Sequence, residues 1–513
     1  MSTAFSMSSI TGQTVRDIID GCADRAPNQI FLIDPTSRQT VTFRDLRDAA
    51  RSVATRLQAE GYEPGDRIAY AMENGADVVR VLLGAMYGGF VATAINLVSG
   101  QSTISYVLEH SEARVVFVDD DTADLVAQAT ADFATPLRVV SISQDWFSGE
   151  EGELSSITPG TDSMLMYTSG TTGKPKGVIH THASILAGGG NTALAHELTN
   201  KDRALCVLPA YHINGLCVTV MGPLVSNSSV LMPRKFSVTS FWNQLRDHGC
   251  TWFSVVPTQI SYLLHHTEKL AEMPSLRFGR SASSPLSPDV QTSFEAKFGV
   301  PIVETMGLTE TAAQILSNPL PPGVRKIGSP GVACGNEVLI ADPHQKELPR
   351  GKEGEVIVRG DNVMRGYRND DAATAASLTE DGWLRTGDLG RMDDDGYIFV
   401  TGRLKELIIK GGENIAPREI DDVLYSHPDV IEAAAFAKES DDYGQTVEAG
   451  VQVRAGAALT EADLLALCRS SVGAFKTPDR IHILSELPKG PSGKIQRMTV
   501  SYTHLTLPTI LLV

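Results

Sequence analysis

The chain has 513 residues, 42% of them hydrophobic and 20% charged, which predicts an ordinary globular protein with two or more domains. The 44 Lys and Arg against 61 Asp and Glu leave a net charge of −17, which opposes binding to nucleic acid and to anionic membranes. Six cysteines without a CxxC pair predict buried, reduced thiols and offer no spacing for disulfides or a metal site.

Short apolar runs alternate with helical spacing from residue 66 onward. "DRIAYAM", "FVATAINL", "ARVVFVDD" and "PLRVVSIS" predict strands, and "NGADVVRVLLGAMYGG" predicts a helix between the first two. The same rhythm returns between residues 204 and 298. Strands that alternate with helices predict βαβ units and a largely parallel sheet.

The pattern changes after about Pro321, where short strands separated by Gly, Pro and Asp predict a small β-rich subdomain. Beyond Gly402, a strand, a helix, a second strand and a helix starting at Thr460 predict a small α+β domain. The predicted fold is α/β, with a large N-terminal domain of βαβ sheets (1–401) and a small mobile C-terminal domain (402–498).

The last segment, "TVSYTHLTLPTILLV" (499–513), is β-branched and apolar with almost no charge. An exposed tail of that composition is an aggregation hazard, so we interpret it as an atypical, non-native extension. No stretch of the chain reaches 18 uninterrupted apolar residues, and the N-terminus lacks a basic segment before an apolar run. A cytoplasmic protein is therefore expected.

The stretch "YTSGTTGKPKG" (167–177) follows the strand candidate "SMLMY" and combines three glycines, four hydroxyl side chains and two lysines. Glycines that accept φ > 0 let successive N–H groups converge on an anion, and the lysines add positive charge. It is not a Walker A loop, because Lys174 is followed by Pro175. From composition alone, a phosphate-binding loop and a solvated hairpin turn both remain open.

Four further motifs follow this loop in order, namely "MGLTET" (306–311), "WLRTGDLG" (383–390), "GRLKELIIKGGENIAPREID" (402–421) and "PSGKIQR" (491–497). Together with the loop they resemble the adenylate-forming superfamily of acyl-CoA synthetases, luciferases and peptide-synthetase adenylation domains, from about residue 14 to Arg497. The resemblance implies that ATP and Mg²⁺ activate a carboxylic acid as an acyl-adenylate. It further implies that the small domain then rotates about Lys405 and the thiol of coenzyme A displaces AMP.

The resemblance also assigns roles to residues. Glu310 would hold Mg²⁺, Thr309 would touch the α-phosphate, Asp388 and Arg403 would reach the ribose or phosphates, and Lys494 would bridge the carboxylate and the α-phosphate. His212 matches a gate between the adenylate and the acyl pocket, and Gly412 matches a glycine of the pantetheine tunnel. The predicted catalytic residues are thus Lys494, Thr309, Glu310 and His212. The predicted ATP- or CoA-binding residues are Thr168, Ser169, Gly170, Thr171, Thr172, Gly173, Lys174, Ser283, Met306, Thr309, Asp388, Arg403, Gly412 and Lys494.

Two departures from the family pattern concern the nucleotide. Met306 stands where an aromatic residue usually stacks on adenine, and a thioether can also pack on a purine face. Ser283 and Ser284 replace residues that are often Gly or Ala in the segment bordering adenine.

Only the resemblance to particular branches of the superfamily limits the identity of the acid substrate. "AYHI" (210–213) lacks the aspartate with which the peptide-synthetase branch binds an amine, which argues against an amino acid. "ETAAQILSNPLP" (310–321) looks most like the oxalyl-CoA synthetase branch, although Ala313 stands where that branch often has histidine. A small polar acid such as oxalate, sulfoacetate, malonate or a short hydroxy acid is expected. Polar pocket candidates are Asn214, Ser283, Ser284 and Gln314.

Two alternatives remain open on the sequence. A standalone adenylating enzyme would load a carrier-protein thiol, and an inactive homologue would only bind nucleotide. A monomer or a homodimer is expected.

Overall fold

The computed structural model describes residues 5–149, 152–168, 174–268, 272–440, 442–489, 495–497 and 499–500. The helices in chain order are α1 (Val15–Arg25), α2 (Phe43–Ala59), α3 (Ala76–Gly88), α4 (Gln101–Ser111), α5 (Ala123–Thr130), α6 (His182–Ala195), α7 (Gly222–Val225), α8 (Phe241–Asp247), α9 (Pro257–His266), α10 (Pro288–Phe298), α11 (Asp371–Ser377), α12 (Pro417–Tyr425) and α13 (Glu461–Lys476).

The strands in chain order are β1 (Ile30–Asp34), β2 (Gln39–Thr42), β3 (Arg67–Ala71), β4 (Val91–Ala94), β5 (Ala113–Val118), β6 (Arg138–Ser141), β7 (Asp162–Thr168), β8 (Lys176–Thr181), β9 (Arg203–Cys206), β10 (Ser229–Leu231), β11 (Trp252–Val255), β12 (Phe278–Ser281), β13 (Ile302–Leu308), β14 (Ala313–Ser317), β15 (Val332–Ala333), β16 (Glu337–Ala341), β17 (Glu353–Arg359), β18 (Gly366–Tyr367), β19 (Leu384–Met392), β20 (Ile398–Arg403), β21 (Ile408–Lys410), β22 (Glu413–Ile415), β23 (Val430–Ser440), β24 (Gly444–Val453) and β25 (Arg480–Leu484).

Two large sheets form the N-terminal domain. The first has the order β18-β8-β7-β4-β3-β5-β6, and the second has the order β15-β14-β13-β12-β11-β9-β10-β1-β2. The middle pairs of both sheets are parallel, as the alternation of strands and helices predicts. Helices cover these strands, so their side chains are buried on both faces, as is usual for parallel sheets. The predicted α/β class is confirmed.

Helix starts are encoded locally. Thr42, Thr181 and Thr460 precede α2, α6 and α13, and each threonine side chain accepts a hydrogen bond from the N–H group three residues later. The side chain of that third residue bonds back to the threonine N–H, which completes a capping box. Because Thr181 is also the last residue of β8, this cap connects a strand directly to the buried helix α6.

The smaller sheets follow residue 321, as the sequence predicts. An antiparallel sheet has the order β16-β17-β19-β20, and a five-stranded sheet contains β21 to β25. The chain passes from one to the other across residues 404–407, and the second sheet with α12 and α13 forms the smaller C-terminal domain. The domain boundary at residue 402 stays a prediction. Within the described part of the chain, no helix is long and apolar enough to cross a membrane.

Two sequence features take a specific form in the structure. The segment "PIVETM" (301–306) leads into β13, and the "TET" that follows this strand forms a single 3-10 turn, Thr309–Thr311. Of the tail, Val500 is buried against Ala434 and Leu487 of the small domain, whereas residues 501–513 lie outside the described residues. The non-native origin of the tail stays a prediction.

Candidate active site

A cavity of about 190 Å³ lies where the small domain meets the carboxyl ends of β12 and β13. Ser283, Met306, Asp388 and Arg403 line it, so four residues that are far apart in the sequence meet as predicted. Small-domain residues, among them Asp421, Ile495 and Arg497, form the facing wall. Ligand sites in open α/β sheets lie at this edge of the strands.

Asp388 and Arg403 form an ion pair at the wall of this cavity. They are register partners on β19 and β20, and Arg403 Nε lies 2.5 Å from Asp388 Oδ1. Thr386, two residues before Asp388 on β19, holds the Asp388 backbone in place. Its hydroxyl donates to the Val356 carbonyl and accepts from the Asp388 N–H. A carboxylate held in this way keeps lone pairs with which to accept hydrogen bonds from ribose hydroxyls.

The cavity also contains a carboxylate that the sequence reasoning missed. Glu304 on β13 is 2% exposed, and its Oε1 accepts from the Leu286 N–H. No hydrogen-bond partner for Oε2 is found among the described residues. Burial raises the pKa of Glu304 above its ordinary value, against the opposing charge of Arg418. A charged residue inside the apolar run "PIVETM" was the available signal.

The turn Thr309–Thr311 is held by three successive backbone carbonyls. The Thr309 carbonyl accepts from His180 Nε2 at 2.7 Å, and the Glu310 carbonyl accepts from the Met364 N–H at 2.8 Å. The Thr311 carbonyl accepts from Asn362 Nδ2 at 2.9 Å. His180 lies on β8, whereas Asn362 and Met364 share one later segment, so two distant parts of the chain hold this turn in addition to its own Ala312 N–H, which donates to the Thr309 carbonyl at 3.2 Å.

The Glu310 carboxylate is chemically suited to its predicted role as a Mg²⁺ ligand. Its Oε1 accepts a hydrogen bond from the Tyr367 hydroxyl at 2.9 Å, which orients the group. No group of three or more His, Cys, Asp or Glu that could hold a metal ion is present in the described part of the chain. One carboxylate that shares the ion with substrate phosphates is a usual arrangement for Mg²⁺. When bound there, Mg²⁺ would neutralise charge on the triphosphate.

The predicted phosphate loop connects β7 to β8. Thr168 is the last residue of β7 and pairs with Lys176, so the loop begins at the carboxyl end of a strand, as predicted. Lys174 is exposed, with its ammonium 5.4 Å from the centre of the Tyr106 ring. Lys494 and the other predicted residues of the phosphate loop lie outside the described residues. These loop residues are Ser169, Gly170, Thr171, Thr172 and Gly173.

Behind Ser283 lies a buried arginine that the sequence reasoning did not single out. Arg280 on β12 is 1% exposed, and its Nη1 donates to Asn214 Oδ1 at 2.9 Å and to Ser254 Oγ at 3.0 Å. Its Nε donates to Gln314 Oε1 at 3.2 Å. Asn214 and Gln314, both predicted as pocket residues, are therefore neighbours of one guanidinium group.

Arg280 is a buried charge with neutral hydrogen-bond partners. Burial lowers the pKa of Arg280 to about 9, so the group stays charged at neutral pH. Burial, and then the positive charge of Arg280, hold the pKa of the neighbouring His196 well below its ordinary value. No ion pair joins Arg280 to a carboxylate among the described residues. An uncompensated buried cation is costly, which favours an anion from outside the chain.

The structure does not bring His212 or Gly412 to the lining of the cavity. His212 is half-buried and lies two residues before Asn214, with its ring centre 5.0 Å from that of Tyr211 at an interplanar angle of 54°. Gly412 has φ +88° and is exposed at the turn between β21 and β22, where an added Cβ would meet nothing within 4 Å. Their predicted roles stay predictions.

Comparison with known families accounts for this arrangement. The family described as AMP-binding enzyme matches residues 19–368, and its C-terminal domain family matches residues 419–494. The chain belongs to the AMP-binding enzyme family. Enzymes of this family that act as CoA ligases use ATP, Mg²⁺ and CoA, and this chain is an acid–thiol ligase of that kind.

Curated relatives and solved structures agree with this assignment. The sulfoacetate–CoA ligase of Cupriavidus necator is 42% identical over 493 residues, covering 94% of this chain and 97% of the relative. The oxalate–CoA ligase of Arabidopsis thaliana is 33% identical, covering 96% and 99%. ATP-bound MatB from Rhodopseudomonas palustris superposes with a TM-score of 0.88 at 27% identity, covering 96% of this chain and all of that structure.

Proposed function

We propose that this AMP-binding enzyme activates a short acid that carries a second anionic group, of the sulfoacetate or oxalate type, and transfers it to CoA. The single observation that carries the proposal is the buried guanidinium of Arg280, whose bonded partners Asn214, Ser254 and Gln314 are all uncharged. A sulfonate or carboxylate of the substrate would supply the missing negative charge. Arginine suits this task because its planar fork matches both groups.

The position of Arg280 agrees with a short substrate. Ser283 lines the nucleotide cavity, and its hydroxyl accepts from Asn214 Nδ2 at 3.1 Å. Asn214 Oδ1 then accepts from Arg280 at 2.9 Å. Two hydrogen bonds thus separate the cavity wall from the guanidinium. An acid with its reacting carboxylate in the cavity and its second anion at Arg280 must therefore be short.

The relatives support the same class of substrate. The names of the curated relatives from Cupriavidus necator and Arabidopsis thaliana are sulfoacetate–CoA ligase and oxalate–CoA ligase, and both acids carry two anionic groups on a two-carbon frame. The resemblance to the oxalate branch at residues 310–321 points the same way.

In the first half-reaction, a carboxylate oxygen of the acid attacks the α-phosphorus of ATP and pyrophosphate leaves. Thr309 and Lys494 contact the α-phosphate in this proposal, Glu310 binds Mg²⁺, and Asp388 orients the ribose. In the second half-reaction, the thiol sulfur of CoA attacks the acyl carbon, the thiol proton is released and AMP leaves. Holding both anions in place lowers the barrier through proximity and charge neutralisation.

A panel of acids tests the proposal. We expect CoA-dependent AMP release to be fastest with sulfoacetate, oxalate or malonate, because each places a second anion within reach of Arg280. The measurement is coupled AMP release across these acids, glycolate, propionate, benzoate and a long-chain fatty acid. A decisive preference for benzoate or the fatty acid would contradict the proposal.

Gly412 distinguishes CoA from a carrier-protein thiol as acceptor. In Gly412→Leu, we expect pyrophosphate exchange to persist while CoA-dependent AMP release is lost, because the side chain would obstruct the pantetheine path. The matched control is Gly456→Leu, since Gly456 also has positive φ (+81°) and open space around its Cβ. Retention of CoA-dependent release in Gly412→Leu would contradict the role of Gly412 in the pantetheine path, and a wild type without CoA-dependent release would favour a carrier-protein acceptor.

A further inference from the structure

His180 is a buried histidine to which the sequence motifs assign no role. It lies on β8, four residues after the strand begins at Lys176, and is fully buried. Both ring nitrogens are bonded, since Nε2 lies 2.7 Å from the Thr309 carbonyl oxygen and Nδ1 lies 3.0 Å from Ser184 Oγ. The imidazole therefore joins β8, the first turn of α6 and the Thr309–Thr311 turn.

The hydrogen-bond partners determine the tautomer of His180. A carbonyl oxygen can only accept, so Nε2 carries the proton and donates to Thr309, and Nδ1 accepts from the Ser184 hydroxyl. Burial lowers the pKa of His180 to about 4, and the bond to Thr309 only partly offsets this. The ring is neutral at any pH near 7. It acts as a fixed donor and does not take part in proton transfer.

This donor acts where two parts of the nucleotide site meet. β8 begins directly after the phosphate loop, and the Thr309–Thr311 turn bears the residues assigned to the α-phosphate and Mg²⁺. The turn connects the paired strands β13 and β14, and each of its three carbonyls accepts a hydrogen bond from outside the turn. Without the His180 bond, the Thr309 carbonyl would keep only the 3.2 Å bond from the Ala312 N–H at the end of the same turn, and the peptide before Glu310 would lose this bond to β8.

We propose that His180 is a positioning residue that holds Thr309 and Glu310 in register with the phosphate loop. The inference rests on the proposed function, because the roles of Thr309 and Glu310 toward ATP and Mg²⁺ belong to it. Tyr367 complements His180, since its hydroxyl orients the Glu310 carboxylate while His180 fixes the backbone beside it. Groups that orient a metal ligand in this way usually matter about 10–100-fold.

The test compares His180→Leu with His180→Gln. Leucine fills the site without a donor, whereas the glutamine amide nitrogen can reach the position of Nε2. We expect His180→Leu to lower pyrophosphate exchange about 10–100-fold and to raise the Mg²⁺ concentration for half-maximal rate about tenfold. We expect His180→Gln to stay within about threefold of the wild type in both quantities, because its donor is retained.

A second readout separates positioning from loss of structure. CoA transfer from a chemically prepared acyl-adenylate needs neither the triphosphate nor its Mg²⁺, so His180→Leu should lose less of this rate than of pyrophosphate exchange. The matched control is His182→Leu, because His182 is also buried, has its pKa lowered to about 4 and bonds the Val15 N–H instead of the turn. Its Mg²⁺ dependence should match that of the wild type.

A direct measurement of ATP binding tests the role of His180 independently of which acid is the substrate. Isothermal titration of ATP with and without Mg²⁺ needs no acid, and His180→Leu should lose the Mg²⁺-dependent gain in affinity that the wild type shows. An unchanged Mg²⁺ dependence in His180→Leu, or an equal loss of both half-reactions, would overturn the inference. A wild type that binds Mg²⁺-ATP but activates none of the acids would contradict the proposed function and leave the binding test of His180 intact.

Discussion

Lys494→Ala is expected to reduce acid-dependent pyrophosphate exchange by at least about 10²-fold, because the variant lacks the cation that offsets charge as the carboxylate approaches the α-phosphate. Lys494 itself lies outside the described residues. Its neighbours Ile495 and Arg497 line the nucleotide cavity, and Ile495 forms a β-bridge with Lys489.

The two half-reactions should respond differently to this change. Transfer from a prepared acyl-adenylate to CoA involves no attack of one anion on another, so Lys494→Ala should keep most of that rate. The control is Lys476→Ala, in the same domain, whose surface ion pair with Glu419 contributes little. Exchange in Lys494→Ala at the level of the Lys476→Ala control would contradict the mechanism.

Arg280→Met is expected to abolish the preference for acids with a second anion. Removal of one member of a buried charge pair costs about 2 kcal/mol or more, which is at least about 30-fold in kcat/KM. Sulfoacetate should suffer this loss. Methylsulfonylacetate, in which a methyl group replaces one sulfonate oxygen, has almost the same shape without the second charge and should change by less than about threefold.

Two control measurements test whether Arg280→Met acts on acid binding or only disturbs the fold. Arg280→Lys keeps the charge but loses the planar fork, so its rate with sulfoacetate should lie between those of the wild type and Arg280→Met. ATP binding in all three proteins reports whether the large domain remains folded. Equal losses with sulfoacetate and methylsulfonylacetate would show that Arg280 supports the fold and does not bind the acid.

The strand and helix pattern was readable because it is local. Apolar runs separated by helical spacing predicted β3, α3, β4, β5 and β6, and all five are present. The order of strands was not readable, because it depends on crossovers between distant segments. β1, for example, pairs with β10. The register partners Leu32 of β1 and Val230 of β10 are far apart in the sequence. Nothing near Leu32 encodes that neighbour.

The residues of the candidate site likewise fall into two groups, those that sequence motifs identified and those that the sequence reasoning missed. Asp388 and Arg403 were predictable because each lies in a short motif whose residues act together. Arg280 and His180 were missed, although "FGRS" and "VIHTH" place a charged or polar residue within an apolar strand. That pattern signals a buried polar group but not its partner. His180 meets Thr309 across 129 residues of sequence, which only the packing of β8 against the turn explains.

By itself, the sequence determined the type of reaction. The phosphate loop, "MGLTET" and "TGD" are contiguous segments whose backbone and side chains present their chemistry wherever the fold places them. Only the tertiary structure brought together the side chains that are proposed to surround the acid. Asn214, Ser254, Arg280 and Gln314 come from four segments, and strand register, such as that of Ser254 with Arg280, brings them together. The buried charge of Arg280 arises from that packing, because an arginine becomes an anion-binding group only where water and carboxylates are excluded.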